Sequence, residues 1–282
     1  MQLIILKIIL VIKNKKMKIT TILPIHEFSD EIKIFLDKAL NSLNDQKKND
    51  EKIKLIVVFA SKIKSEIENY FNEFPNKFDY ELIENNKTID FQSKINLGVE
   101  SVDTEYFTIL EFDDELSNTY YNLSKKYIEN YPDVDLFLPL IIETNVNDDA
   151  LKLTNEVVWS RSFVGENGEL GFLNTKSLNN FTDFKICGGI FKKSEFENIG
   201  ELKTNIVLTF QYEFLLRLLN NGAKVFTIPK IIYKHVVNRE DSLFSNYHKT
   251  LTLNDRKFWF ETAKKESNFF QDREIDTSLL KK

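Results

Sequence analysis

The chain has 282 residues, is 42% hydrophobic and 29% charged, and carries a net charge of −5 with a pI near 5.5. This is the composition of a globular protein with one large or two small domains, and its acidity argues against a general nucleic-acid binder. One cysteine, Cys187, rules out an intrachain disulfide and a paired-cysteine zinc motif, and it fits a reducing, cytoplasmic setting.

Residues 1–12 are nearly all apolar, and the basic stretch 13–16 follows them. The run is too short for a spanning helix, which needs about 20 apolar residues, and its charges come after the apolar run rather than before it, unlike a signal peptide. We read 1–16 as a non-native or disordered extension ahead of a start at Met17. The alternative is weak association with a membrane surface. No transmembrane segment is expected.

From there strands and helices alternate. Residues 18–23 form a short apolar strand closed by Pro24. Residues 30–43 place Ile32, Phe35, Leu36, Ala39, Leu40 and Leu43 at helical spacing behind a cap at Ser29 or Asp30. A strand at 54–59, a helix at 62–74, a strand at 78–84 and a helix at 88–102 follow. Next come a strand at 106–111, a helix at 118–130 and a strand at 134–142. Such alternation predicts a mostly parallel sheet covered on both faces. Residues 143–182 are polar and without period. A strand-like 186–191, a helix at 209–220, a strand at 224–232 interrupted by Pro229 and a helical tail at 250–270 complete the chain.

The strand at 106–111 ends in Glu111, Asp113, Asp114 and Glu115. Crowded carboxylates repel one another, and a hard divalent cation relieves that repulsion. Ligands in open α/β sheets bind at the carboxyl ends of strands, so the position suits a metal site. The alternative is an acidic helix start that offsets the helix dipole.

Four ordered segments resemble a known family. They are 20–27 with its following helix; Asn96-Leu97-Gly98 leading to Glu111-Phe112-Asp113-Asp114; Cys187-Gly188-Gly189 through Ile199-Gly200; and Tyr212 to Arg217, with Asn221-Gly222, Ile228-Pro229 and Tyr233. Together they resemble the family 2 glycosyltransferases of the GT-A fold. The resemblance implies an α/β Rossmann-like α/β/α sandwich over 17–240, with a helical C-terminal extension, 241–282, packed on the same domain. It implies inverting transfer of a sugar from a nucleotide-diphospho-sugar donor to a hydroxyl of a glycan or glycoconjugate acceptor, assisted by Mn²⁺ or Mg²⁺. Carried over residue by residue, Asp113 becomes the first metal ligand, and Glu111 and Asp114 take ribose or supporting roles. Pro24, His26 and Glu27 line the base pocket, and Asn96 lies on the nucleotide-sugar side. Near the end of the chain, His235 could complete the metal site and Arg239 or Lys234 could clamp the diphosphate; the alternative is that His235 only ends a strand and the charges are solvated.

Two positions depart from the family pattern. Val58 to Lys62 lack the carboxylate expected after the second strand. The general base expected at the start of the 209–220 helix is replaced by Gln211, which cannot take a proton. Glu213 is the nearest substitute, although its spacing to Arg217 also suits a helix ion pair. Glu166, Glu169 and Asp183 are further candidates. Trp159 and Phe163 could stack on a sugar or simply pack. The departures keep a second reading open, a catalytically inactive module that binds a nucleotide or glycan. Nucleotidyl transfer is disfavoured, because no glycine-rich phosphate loop follows the first strand. The donor, the acceptor and the oligomeric state are not legible.

Overall fold

The computed structural model describes residues 18–46, 53–86, 90–164, 168–239, 242 and 249–270. The readings of 1–16, of Met17 as a start and of Glu166 fall outside them. The elements in chain order are β1 (Ile19–Ile25), α1 (Asp30–Asn44), β2 (Lys54–Ala60), α2 (Lys64–Glu73), β3 (Asp79–Asn85), α3 (Phe91–Glu100), β4 (Tyr106–Ile109), β5 (Glu115–Leu116) and α4 (Tyr120–Asn130). Then follow β6 (Leu136–Thr144), β7 (Ala150–Thr154), α5 (Arg161–Val164), α6 (Thr175–Asn180), β8 (Ile190–Lys192), α7 (Lys193–Asn198), α8 (Phe210–Asn220), β9 (Val225–Val236) and α9 (Leu253–Glu266).

The strands form one sheet in the order β3-β2-β1-β4-β8-β6-β9-β5, with β7 added beside β6. Helices cover both faces, because β1 and β2 are apolar on both sides. Leu23, Ile25, Leu55, Val57 and Phe59 pack with Leu36, Leu40, Ile67 and Phe71 on one face. Ile22, Ile56 and Val58 pack with Ile95 and Val99 of α3 on the other. Each such side chain, once fully buried, contributes about 1.5–3 kcal/mol. Gly98 lets α3 approach closely: a Cβ there would stand 2.7 Å from Ile22 Cγ2.

The sheet is mixed rather than mostly parallel. The β1/β2, β1/β4, β2/β3 and β6/β9 pairs are parallel. The β4/β8, β6/β8, β6/β7 and β5/β9 pairs are antiparallel. β7 is a short local return onto β6, whereas β8 and β5 take their antiparallel places beside strands far away in the sequence. Helix–strand alternation predicts parallel pairing only while crossover helices intervene.

Pro24 does not close its strand; it lies inside β1, paired with Val58. Pro229 does not split β9. It sits exposed in an irregularity where Pro139 faces Ile228 and Leu140 faces Ile231, so the ladder lets the proline bulge outward. Part of the 143–182 stretch is also ordered, as the end of β6, β7, α5 and α6. No helix among the described residues is long and apolar enough to cross a membrane.

Candidate active site

Two cavities are relevant to the sheet's polarity. One, of about 510 Å³, lies at the amino ends of β1, β2 and β3, beside Lys18, Lys54 and Asp79. The other, of about 570 Å³, lies at the carboxyl ends and is lined by Glu111, Asp113, Glu143, Leu151, Lys152, Asp183, Lys185, Cys187, Gln211, His235, Val236, Val237, Asn238 and Ser242. Only the second gathers carboxylates, an imidazole and a thiol at the strand ends where α/β sheets bind ligands.

Asp114 is the hub of this cavity. It is 0% exposed. It accepts hydrogen bonds from the Tyr233 hydroxyl at 2.7 Å, from the Val236 N–H at 2.9 Å and from His235 Nδ1 at 2.9 and 3.0 Å. The turn after β4, closed by Asp114 N–H to Glu111 C=O, aims the acids at β9. There the alternating Tyr233 and His235 lie on one face. Tyr233 also accepts from the Glu111 N–H at 3.2 Å. Gly188, at φ +65°, holds the Cys187 turn against Tyr233; a Cβ there would overlap the ring. The Tyr120 hydroxyl fixes the same turn through the Gly188 carbonyl.

Glu111, Asp114, Cys187 and His235 each present one ligand atom within 4.8 Å of the others. These O, N and S donors suit a divalent transition ion. Burial, then Asp114, pushes the Glu111 carboxyl up to about 8. Burial and Asp114 likewise raise Asp113 to about 6. Burial opposes a charge on His235, but Asp114 outweighs it and brings the imidazole up to about 9. Burial, then Glu111 and Asp114, pushes the Cys187 thiol well up. A cation would oppose the shifts of the acids and the thiol.

Asp113 lies at the edge of this group. Its Oδ2 accepts from Arg239 Nε at 3.2 Å. Arg239 is 5% exposed, with its guanidinium 5.1 Å over the Phe112 ring, and it does not line the cavity. The His26 ring lies 5.3 Å from that of Phe112, and its Nε2 lies 3.1 Å from Glu27. Burial lowers its basicity. His26, Phe112, Arg239 and Asp113 thus form a contiguous patch at the ends of β1, β4 and β9, next to the cavity.

Asn96 is elsewhere. It is buried in α3, donates to the Leu202 carbonyl at 2.8 Å and accepts from the Leu202 N–H at 3.0 Å, which uses its amide to clamp a loop. Glu213 is 0% exposed; Arg217 donates to its two oxygens at 2.8 and 3.0 Å, and Lys203 lies 3.3 Å away. It is a core ion pair that does not reach the cavity, so a proton acceptor at this position is ruled out by access. Gln211, two residues earlier, does line the cavity, but its Oε1 accepts from the Ile186 N–H at 2.8 Å. Trp159 packs edge-on against Phe226 and Phe163 lies against Phe184, both as core aromatics.

Asp183 is at the cavity rim, bound to Lys152 at 2.7 Å. Burial raises its pKa, but the Lys152 hydrogen bond and charge outweigh it and leave it below the ordinary value. Glu143, Lys152, Lys185 and Leu151 also line the cavity without having been singled out from sequence. Glu143 is 4% exposed, accepts from the Thr154 hydroxyl at 2.6 Å, and has Lys152 and Lys185 at 3.6 and 3.8 Å. Glu143, near the end of the apolar run of β6, carries only that weak signal in the sequence.

No family model and no curated protein matches the chain. Solved structures do. A mannosyltransferase, PcManGT from Pyrobaculum calidifontis in complex with GDP-Man and Mn²⁺, matches 91% of this chain and 71% of its own, with a TM-score of 0.60 and 13% identity. S. aureus TarS 1–349 in complex with UDP-GlcNAc matches 94% of this chain and 76% of its own, with a TM-score of 0.57 and 14% identity. At such identities the likeness is one of architecture: the chain has the α/β fold of the GT-A-type glycosyltransferases.

Proposed function

We propose that this protein is a glycosyltransferase that moves a sugar from a nucleotide-diphospho-sugar to a hydroxyl of a glycan or glycoconjugate, with inversion and with help from Mn²⁺ or Mg²⁺, in a cytoplasmic setting. The observation that carries this reading is the Glu111–Asp114–His235 group at the strand ends of a GT-A fold. Neighbours of that fold bind UDP-GlcNAc and GDP-Man, one of them with Mn²⁺.

Asp114 and His235, with Glu111, would hold the ion, which when bound neutralises the charge building on the departing diphosphate. Asp113 and Arg239, with His26, Glu27 and Pro24, form the nucleotide side. Lys152 and Lys185 add positive charge across the cavity. Asp183 takes the proton from the acceptor hydroxyl, since it faces the cavity, is held ionised by Lys152 and is not buried in an ion pair as Glu213 is. Gln211 then forms part of the acceptor wall.

One observation favours the second reading, an inactive binding module: Gln211 is an amide locked to backbone where an acid would serve. Calorimetric titration of UDP and GDP, with and without Mn²⁺, followed by donor hydrolysis assays, tests both. Metal-dependent binding with turnover supports transfer. Binding without turnover moves the protein to the nucleotide-binding form of the second reading, and no binding of either nucleotide moves it to the glycan-binding form.

A further inference from the structure

We propose that Cys187 is a metal ligand and that it makes the site select thiophilic divalent ions, of the Zn²⁺, Co²⁺ and Cd²⁺ class, over Mg²⁺. The inference rests on the metal part of the proposed function but not on any nucleotide or sugar. Mg²⁺ is served by carboxylates, phosphates and water, and thiolate sulfur adds to the general lead of first-row transition ions a preference that oxygen donors do not give. Here a thiol stands among the donors. Cys187 is a free cysteine, 3% exposed, and it lines the cavity. Its sulfur lies within 4.8 Å of donor atoms from Glu111, Asp114 and His235, which come from two other segments of the chain.

The placement is built. Gly188 takes φ +65°, and its missing Cβ lets the turn press against Tyr233, the residue that also holds Asp114. Its N–H is bonded to the Ile109 carbonyl at the end of β4 at 2.8 Å, which ties the thiol to the strand that carries the acids. Two carboxylates, one imidazole and one thiolate form a set that zinc accepts in tetrahedral geometry, and sulfur shifts selectivity toward soft ions. On binding, the S–H bond breaks as the S–metal bond forms, and the proton leaves to solvent. The redox state of every atom is unchanged.

The chain has one cysteine, so a thiolate-to-metal absorption band can arise from no other residue. Co²⁺ titrated into the full chain, reduced with a phosphine, is expected to give that band at one ion per chain. Zn²⁺ should abolish it at a concentration at least about a hundredfold below that needed with Mg²⁺. Cys187→Ser should bind Co²⁺ without the band. Cobalt binding in the native chain with no such band, no cobalt binding at all, or displacement by Mg²⁺ as readily as by Zn²⁺ would each overturn the proposal. Should the Ser variant fail to fold, the native spectrum and its competition series still decide. Nucleotide titration with Mn²⁺ on the same protein separates this result from the glycosyltransferase reading.

Discussion

The Tyr233 hydroxyl donates to Asp114 Oδ2 at 2.7 Å across 119 residues of sequence, and the Tyr233 phenol oxygen accepts from the Glu111 N–H at 3.2 Å. One phenol therefore fixes both ends of the acid turn against β9. Tyr233→Phe would keep the ring against Gly188 while removing the hydroxyl. The expected effects are a loss of about 1–3 kcal/mol in stability, from an under-satisfied buried carboxylate, and a metal affinity reduced about 10–100-fold. Denaturant midpoints and metal titration check the two separately; unchanged values in both would remove Tyr233 from the site's support.

Asp183 and Glu213 make opposite predictions. Asp183→Asn is expected to lower kcat by about 10²–10⁴ with little change in KM or melting temperature, because it removes a proton acceptor at an exposed rim. Glu213→Gln is expected to destabilise the fold by about 3–5 kcal/mol, because it leaves Arg217 and Lys203 buried without their counter-charge. Steady-state kinetics beside thermal melts distinguish them. A stable, inactive Glu213→Gln would reverse the assignment.

Asn96→Ala should behave as a packing variant. Its amide satisfies both backbone groups of Leu202. The expected loss is about 1–3 kcal/mol of stability, with UDP or GDP affinity unchanged. A selective loss of nucleotide binding at unaltered stability would return Asn96 to the nucleotide side.

The site also predicts the pH response of the metal-free protein. Asp113 is raised from 3.8 to about 6 and Glu111 from 4.5 to about 8, so the folded state holds protons that the unfolded state has released. His235, raised from 6.5 to about 9, acts in the same direction. Stability from these groups is complete below their unfolded values and is lost as pH rises through the folded ones. Melting temperature without metal should therefore fall between about pH 6 and 9. Mn²⁺ binds the deprotonated acids, so its affinity should climb over that window and flatten the fall. Melts at pH 6, 7.5 and 9 with and without Mn²⁺ check this; a metal-free melting temperature that rises with pH would contradict it.

The sequence by itself determined the elements and the strand end that carries the acids. Period-two and helical spacing are local, and the apolar runs of β1 and β2 declare strands buried on both faces whatever their partners. The same locality explains the errors. β8 inserts antiparallel between β4 and β6, and the proline of β9 bulges outward, because pairing partners far along the chain set those outcomes.

Roles within the site depended on contacts between distant residues. No local pattern could tell that Asn96 grips Leu202, that Glu213 faces Arg217 and Lys203 in the core, or that Asp114 rather than Asp113 meets Tyr233 and His235. Nor could spacing bring Cys187 beside Glu111. Burial and side-chain direction decide whether a carboxylate is a ligand, a hub or half of a core ion pair, and only the folded sheet sets them.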